Sequence, residues 1–286
     1  MTERAAANHR HGHEETDWAV RGQELLRDGE INAPMVDRAL AWVAECVPGA
    51  RDVLDIGSGP GVAACAIAGL LPAAQVLATD GAAPLLAMAK ARASQLGLGG
   101  RVTTREVSLP DGLHDLPQAD IVWVSNVVHH LPDAAGALRA LGALVRPGGV
   151  LAVREGGLPI RFLPEGAAPG LLPRLEAVWE DTADGAAHPE GIVLNRSSWP
   201  TLLREAGLHQ VGSRSFLLDL AAPVSSEVRQ WLCLRLEWLR GAVGDRMSAA
   251  DSATLSRLLD PEAPDGVLRR PDVHLLTATT VHIAKA

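Results

Sequence analysis

Val53-Leu54-Asp55-Ile56-Gly57-Ser58-Gly59-Pro60-Gly61, residues 53–61, is a short apolar run that reaches a carboxylate and then places glycine at three alternate positions. β-Branched and apolar residues suit a strand covered on both faces. Glycines let the turn that follows take positive φ and bring its backbone against a ligand. The stretch reads as a buried strand, a glycine loop and the start of a helix, with the loop as a cofactor site. A dinucleotide loop of the form Gly-x-Gly-x-x-Gly would need its third glycine at position 62, where the chain has Val62. That mismatch disfavours a nicotinamide-dependent oxidoreductase. Asp55, two residues before the first glycine, can reach a cationic amino group lying over the loop.

Working outward, Gln75-Val76-Leu77-Ala78-Thr79-Asp80 reads as a second strand with an acid at its carboxyl end. It lies roughly 20 residues beyond the loop, the distance expected of a ribose-binding carboxylate in a βαβ unit. Residues 101–107 read as a third strand, followed by Ser108-Leu109. Residues 119–124 read as a fourth, running into Ser125-Asn126-Val127-Val128-His129-His130-Leu131-Pro132-Asp133. Val145-Arg146-Pro147-Gly148-Gly149 then turns the chain into a fifth strand, Val150-Leu151-Ala152-Val153. Residues 60–70, 83–96 and 133–145 read as crossover helices. The expected architecture is a doubly wound α/β sheet, mostly parallel, with helices on both faces.

Taken in this order, the landmarks over roughly residues 51 to 155 resemble the class I S-adenosylmethionine-dependent methyltransferases, whose first motif has the form Asp-x-Gly-x-Gly-x-Gly. The resemblance implies a Rossmann-like sheet with an antiparallel last strand and S-adenosyl-L-methionine as the cofactor. It implies that Asp55, Gly57, Ser58, Gly59 and Gly61 hold the donor, with Asp80 and Gly81 at the ribose and Ser108 and Leu109 at the adenine. Many family members carry an acid where this chain has Ser108, whose hydroxyl can still accept one hydrogen bond. Ser125 and Asn126 fall in the loop that faces the methyl donor.

Outside the core, Trp18, Leu25, Leu26, Met35, Val36, Leu40, Trp42 and Val43 recur at helical spacing, interrupted near Gly29 and Pro34. Two short helices are expected over residues 17–46, forming a cover over residues 16–48. Residues 156–196 are rich in Pro and Gly with a helical stretch near 171–180. Ser197-Ser198-Trp199-Pro200 reads as a capped helix start. Residues 208–220 and 275–284 read as the last two strands. Between them, residues 225–239 and 249–259 read as helices that, with 156–196, cover the carboxyl ends of the strands. The expected organisation is a polar tail over residues 1–15 and one domain over 16–286, with 49–155 as the cofactor core and 156–196 and 221–272 as lid segments.

A chain of 286 residues at 47% hydrophobic and 21% charged can bury a substantial core. The net charge of −8 argues against a broad attraction to phosphate backbones, so a small molecule is preferred over nucleic acid. Three widely spaced cysteines make neither a disulfide framework nor a cysteine zinc site. His9, His11 and His13 lie in the polar start, and no metal is assigned to them. Without an apolar signal core or spanning segment, the expectation is a cytoplasmic protein with no membrane partner. A homodimer is among the assemblies it allows.

Methyl transfer from a sulfonium chiefly demands alignment, which can be worth an effective molarity of ~10⁵–10⁸ M. For an oxygen acceptor a base would help, and His129, His130 and Glu155 are the catalytic candidates at the carboxyl edge of the sheet. Trp231 and Trp238, seven residues apart, share a helical face and read as core packing before an aromatic clamp. The leading reading is a methyltransferase acting on a hydroxyl, amine or activated carbon of a small molecule, with secondary metabolism as its setting. The alternative is a protein that keeps the fold and cofactor without methylating, as a binding module or a guide to cyclisation.

Overall fold

Seven strands make one sheet: β1 (Asp52–Ile56), β2 (Gln75–Asp80), β3 (Val102–Glu106), β4 (Ala119–Ser125), β5 (Val145–Arg161), β6 (His209–Leu220) and β7 (Leu275–Lys285). Their spatial order is β3-β2-β1-β4-β5-β7-β6. The pairs among β1 to β5 are parallel, while β7 runs antiparallel to both β5 and β6. The strand order reverses direction at β1, between β2 and β4, which is where open α/β sheets bind ligands. The computed structural model describes residues 17–185 and 197–285. The N-terminal tail with His9, His11 and His13 lies outside the described residues, as does His188.

The period of two along each strand divides the core. Val53, Ile121, Trp123, Val150 and Ala152 face one side, where they pack with Ala64, Cys65 and Ile67 of helix α2 (Val62–Leu70) and with α1 (Trp18–Cys46). Leu54, Ile56, Val122, Val124, Leu151 and Val153 face the other, against Leu138 and Leu141 of α4 (Ala134–Ala143) and Leu202 and Leu203 of α6 (Trp199–Glu205). Helix α3 (Ala83–Gln95) follows β2. Burial on both faces is why the inner strands read as continuous apolar runs.

A third apolar cluster joins α1 and β5 to the remaining helices, α5 (Leu171–Gly185), α7 (Ser226–Val243) and α8 (Ala249–Leu259). Met35, Phe162, Leu175, Trp231, Leu236 and Leu255 are buried in it. Segments far apart in sequence therefore share one core beside the carboxyl edge of the sheet.

Two expectations are corrected. The segment expected as two short helices is one, α1, with Pro34 inside it. Proline removes an intrahelical donor at ~3 kcal/mol, yet Met35, Val36, Ala39, Leu40 and Val43 just beyond it are buried. Their packing holds the helix through the interruption. Gly29, the other expected break, sits where the helix crosses α2, and a Cβ there would meet Val62 Cγ2 at 2.8 Å. It is a contact glycine within the helix. The fifth strand also runs past Val153 to Arg161, because β7 pairs with its extension at Gly157, Leu158 and Arg161. The register shifts between Arg154 and Gly157 and between Leu158 and Arg161 mark an irregular stretch that a strand pattern does not reveal.

Candidate functional site

The loop after β1 is built as its glycines require, with φ of +68°, +52° and +79° at Gly57, Gly59 and Gly61. A Cβ at Gly61 would lie 2.6 Å from Ala89 Cβ and 2.8 Å from its Cα, so this glycine lets α2 start against α3. A Cβ at Gly59 would meet nothing within 4 Å. That side of the loop is open for a ligand.

Asp55 stands at the end of β1 between Ala78 and Trp123 of the neighbouring strands. Its side chain is 1% exposed, and Oδ2 has no hydrogen-bond partner among the described residues. Burial, and secondarily the charge of Asp80, push its pKa up to about 7. Ser58 Oγ in the same loop and Trp123 Nε1 are also buried without a partner. Such orphaned polar atoms in one place call for a ligand or a water.

Asp80 closes β2 and turns toward the loop. Its Oδ2 accepts from Gly59 N–H at 2.9 Å and its Oδ1 from Ala82 N–H at 2.9 Å. Each oxygen retains a second lone pair, so the acid can pin the loop and still accept from a hydroxyl. Gly81 is exposed beside it, and Ser108 is exposed at the end of the β3 segment with Leu109 half-buried next to it.

The loop after β4 is held from below by Glu155. Its Oε1 accepts from the N–H groups of Val127 and Val128, both at 2.9 Å, and its Oε2 lies 2.8 Å from His129 Nδ1. Glu155 is 2% exposed and engaged at both oxygens. It therefore holds the loop and His129 in place. The carboxylate only accepts, so Nδ1 carries the hydrogen and Nε2 is left as the acceptor of the ring. His130 is exposed, its ring centroid 4.1 Å from that of His129. Asn126, in the same loop, has a φ of +53°, a conformation few non-glycine residues adopt, and its N–H donates to the Arg154 carbonyl at 3.0 Å.

Asn126 also borders a cavity of about 570 Å³ under the helical cover. Its apolar walls include Met35, Phe162, Trp179, Trp231, Leu236 and Trp238. Its polar wall has Asp28, Arg154, Glu176, Arg235 and Thr279. The volume and the mixture of apolar walls with few polar groups are those of a small-molecule site. His129, His130 and Glu155 do not line it, and neither do the glycines of the loop. Trp231 and Trp238 line the cavity while also packing the cover.

Arg154, Asp28 and Thr279 are the site residues that sequence reasoning did not assign. The alternation along β5 places Arg154 next to Glu155 but on the other side of the strand. That signal was present, but what Arg154 touches was not. Among the described residues, no helix is long and apolar enough to cross a membrane, and no group of His, Cys, Asp or Glu is arranged to hold a metal ion.

The family described as a methyltransferase domain matches residues 54–151 of the chain. The release factor glutamine methyltransferase of Bordetella pertussis is 33% identical over 210 residues, which make up 71% of this chain and 70% of that protein. The ubiquinone biosynthesis O-methyltransferase of Pseudomonas savastanoi pv. phaseolicola is 37% identical over 135 residues, 46% of this chain. The match takes in 54% of that enzyme, so the chain spans about half its length. Among solved structures, an O-methyltransferase family protein from Burkholderia thailandensis has the same fold at a TM-score of 0.50 and 22% identity, over 69% of this chain and 57% of that one.

Proposed function

The chain belongs to the class I S-adenosylmethionine-dependent methyltransferase family, and we propose that it transfers a methyl group from S-adenosylmethionine to a small-molecule acceptor. The observation that carries this reading is the buried, partnerless Oδ2 of Asp55 beneath a loop whose Gly59 side is open. An acid in that state is matched by a cationic ligand, because a nearby positive charge favours its ionised form.

In this reading Asp55 and the 57–61 loop hold the amino acid end of the donor, while Asp80 and Gly81 take the ribose. Ser108 and Leu109 flank the adenine, and Ser125 and Asn126 face the methyl group. When bound, the donor supplies a methyl carbon already activated by its sulfonium leaving group. The chain itself must bind, align and exclude water. The cavity bordered by Asn126 is the acceptor site, and alignment across that border is the main catalytic contribution.

For a hydroxyl acceptor, His129 Nε2 is the group assigned to take the proton. The support is the Glu155 hydrogen bond, which fixes the ring and its tautomer as a base and its orienting acid are fixed elsewhere. The Pseudomonas relative is named as an O-methyltransferase, which agrees with an oxygen acceptor.

Calorimetry with S-adenosylmethionine and S-adenosylhomocysteine tests the assignment. Both are expected to bind the folded protein, and Asp80→Ala should weaken them by roughly 1–3 kcal/mol through the lost charged partner. Binding of neither by folded protein rejects the reading. A second reading, a cofactor-binding protein that methylates nothing, is favoured by the absence of His129, His130 and Glu155 from the cavity lining. Tight donor binding with no transfer of labelled methyl to a metabolite panel would select it.

A further inference from the structure

Arg154 is a cation in an unusual position. It lies partly buried on β5, and among the described residues no carboxylate comes within ion-pair distance of its guanidinium. Its Nε donates to Thr279 Oγ1 and its Nη1 to Ser125 Oγ, both at 2.9 Å. Both partners are neutral hydroxyls. Of its five N–H donors, these bonds use two, and Arg154 is among the residues that line the cavity. Burial lowers its pKa, with the charges of Asp28 and Glu155 acting in the opposite sense.

Two of the acids near it make hydrogen bonds to other groups. Glu155 is engaged by the loop and His129. Asp28 Oδ1 accepts from Trp231 Nε1 at 3.3 Å across the cavity wall. Glu176 also lines the cavity. A guanidinium offered neutral partners and left facing a cavity is matched by an anion, which it binds through charge-assisted and often bidentate hydrogen bonds. Phe162 and the indoles of Trp179, Trp231 and Trp238 form the apolar part of the same cavity, and flat aromatic walls suit a ring system.

We propose that Arg154 is the anion-binding residue of this cavity and that the acceptor is a ring-bearing small molecule carrying a carboxylate. This inference rests on reading the chain as a methyltransferase whose acceptor occupies the cavity. The carboxylate is held at Arg154 and the ring lies against the indoles. The position to be methylated is thereby presented toward Asn126, the residue shared with the loop that faces the donor.

The test uses the full chain and three probes of one shape, 2-naphthoate, 2-naphthamide and 2-naphthylmethylammonium, titrated against tryptophan fluorescence with and without S-adenosylhomocysteine. The acid is expected to bind about ten-fold or more tightly than the amide. Arg154→Gln should abolish that preference while leaving the amide unchanged. The comparison between probes on the unaltered protein stands even if the variant fails to fold. Equal or tighter binding of the amide or the ammonium, or no binding of the acid at millimolar concentration, overturns the proposal. Calorimetry with S-adenosylhomocysteine on the same preparation separates the two readings. If it binds while the acid is not preferred, only the carboxylate assignment fails. If it does not bind, the methyltransferase reading fails first.

Discussion

His129 Nδ1 and Glu155 Oε2 lie 2.8 Å apart, while the other oxygen of the same carboxylate accepts two backbone N–H groups of the loop that carries His129. One buried acid thus sets the path of the loop and the direction of the ring together. With a hydroxyl acceptor, His129→Ala should lower kcat by ~10²–10⁴, the usual contribution of a general base, with donor affinity unchanged. Glu155→Gln should also lower kcat, because the ring of His129 loses the acceptor that orients it. Steady-state kinetics of the three proteins check this. A kcat unchanged by His129→Ala would remove His129 as the proton acceptor.

The state of Asp55 couples stability and donor binding to pH. Its folded pKa is raised from 3.8 to about 7, so between those values the unfolded chain releases a proton that the folded chain keeps. Stability in the free protein should fall with rising pH across that window by at most ~1.4 kcal/mol per pH unit from this group, and level off above it. Asp55→Asn should flatten the dependence, giving a free protein more stable than the original at pH 8 in urea denaturation. Donor affinity should behave oppositely, rising through about pH 7 in the original protein and staying level in the variant. A donor affinity independent of pH in both would separate Asp55 from the donor.

Two glycines of the loop should respond differently to the same methyl group. Gly61→Ala forces a Cβ against the backbone of Ala89 at positive φ and should cost ~2–4 kcal/mol of folding stability. Gly59→Ala places its Cβ in open space and should cost only ~1–2 kcal/mol, for the left-handed backbone. Its main effect should be weaker donor binding. Denaturation and calorimetry on the pair check the contrast. Unchanged donor affinity in a folded Gly59→Ala protein would mean that the open side of the loop is not where the donor lies.

Pro34 is exposed within α1 and removes a helix donor there. Pro34→Ala should therefore raise stability by ~1–3 kcal/mol, as the carbonyl one turn earlier regains a partner. Urea denaturation gives the sign. A loss of stability would show that the proline ring serves the local bend of the helix.

The cofactor half of this protein was legible because its signals are local. A strand covered on both faces shows as an apolar run, a tight loop at positive φ needs glycine, and crossover helices leave regular spacings. Residues 53–61 and 75–80 carry all three within about thirty positions. The half that encloses the cavity was not legible in that way. Whether α1 breaks at Pro34 depends on what its far side is packed against, and β5 continues to Arg161 only because β7 lies beside it. Arg154 meets Thr279, 125 residues away, and Trp231 meets Asp28, 203 residues away. Composition and periodicity report which groups are apolar and how the backbone repeats. They do not report which distant groups come together, and the cavity with its guanidinium is made wholly of such meetings.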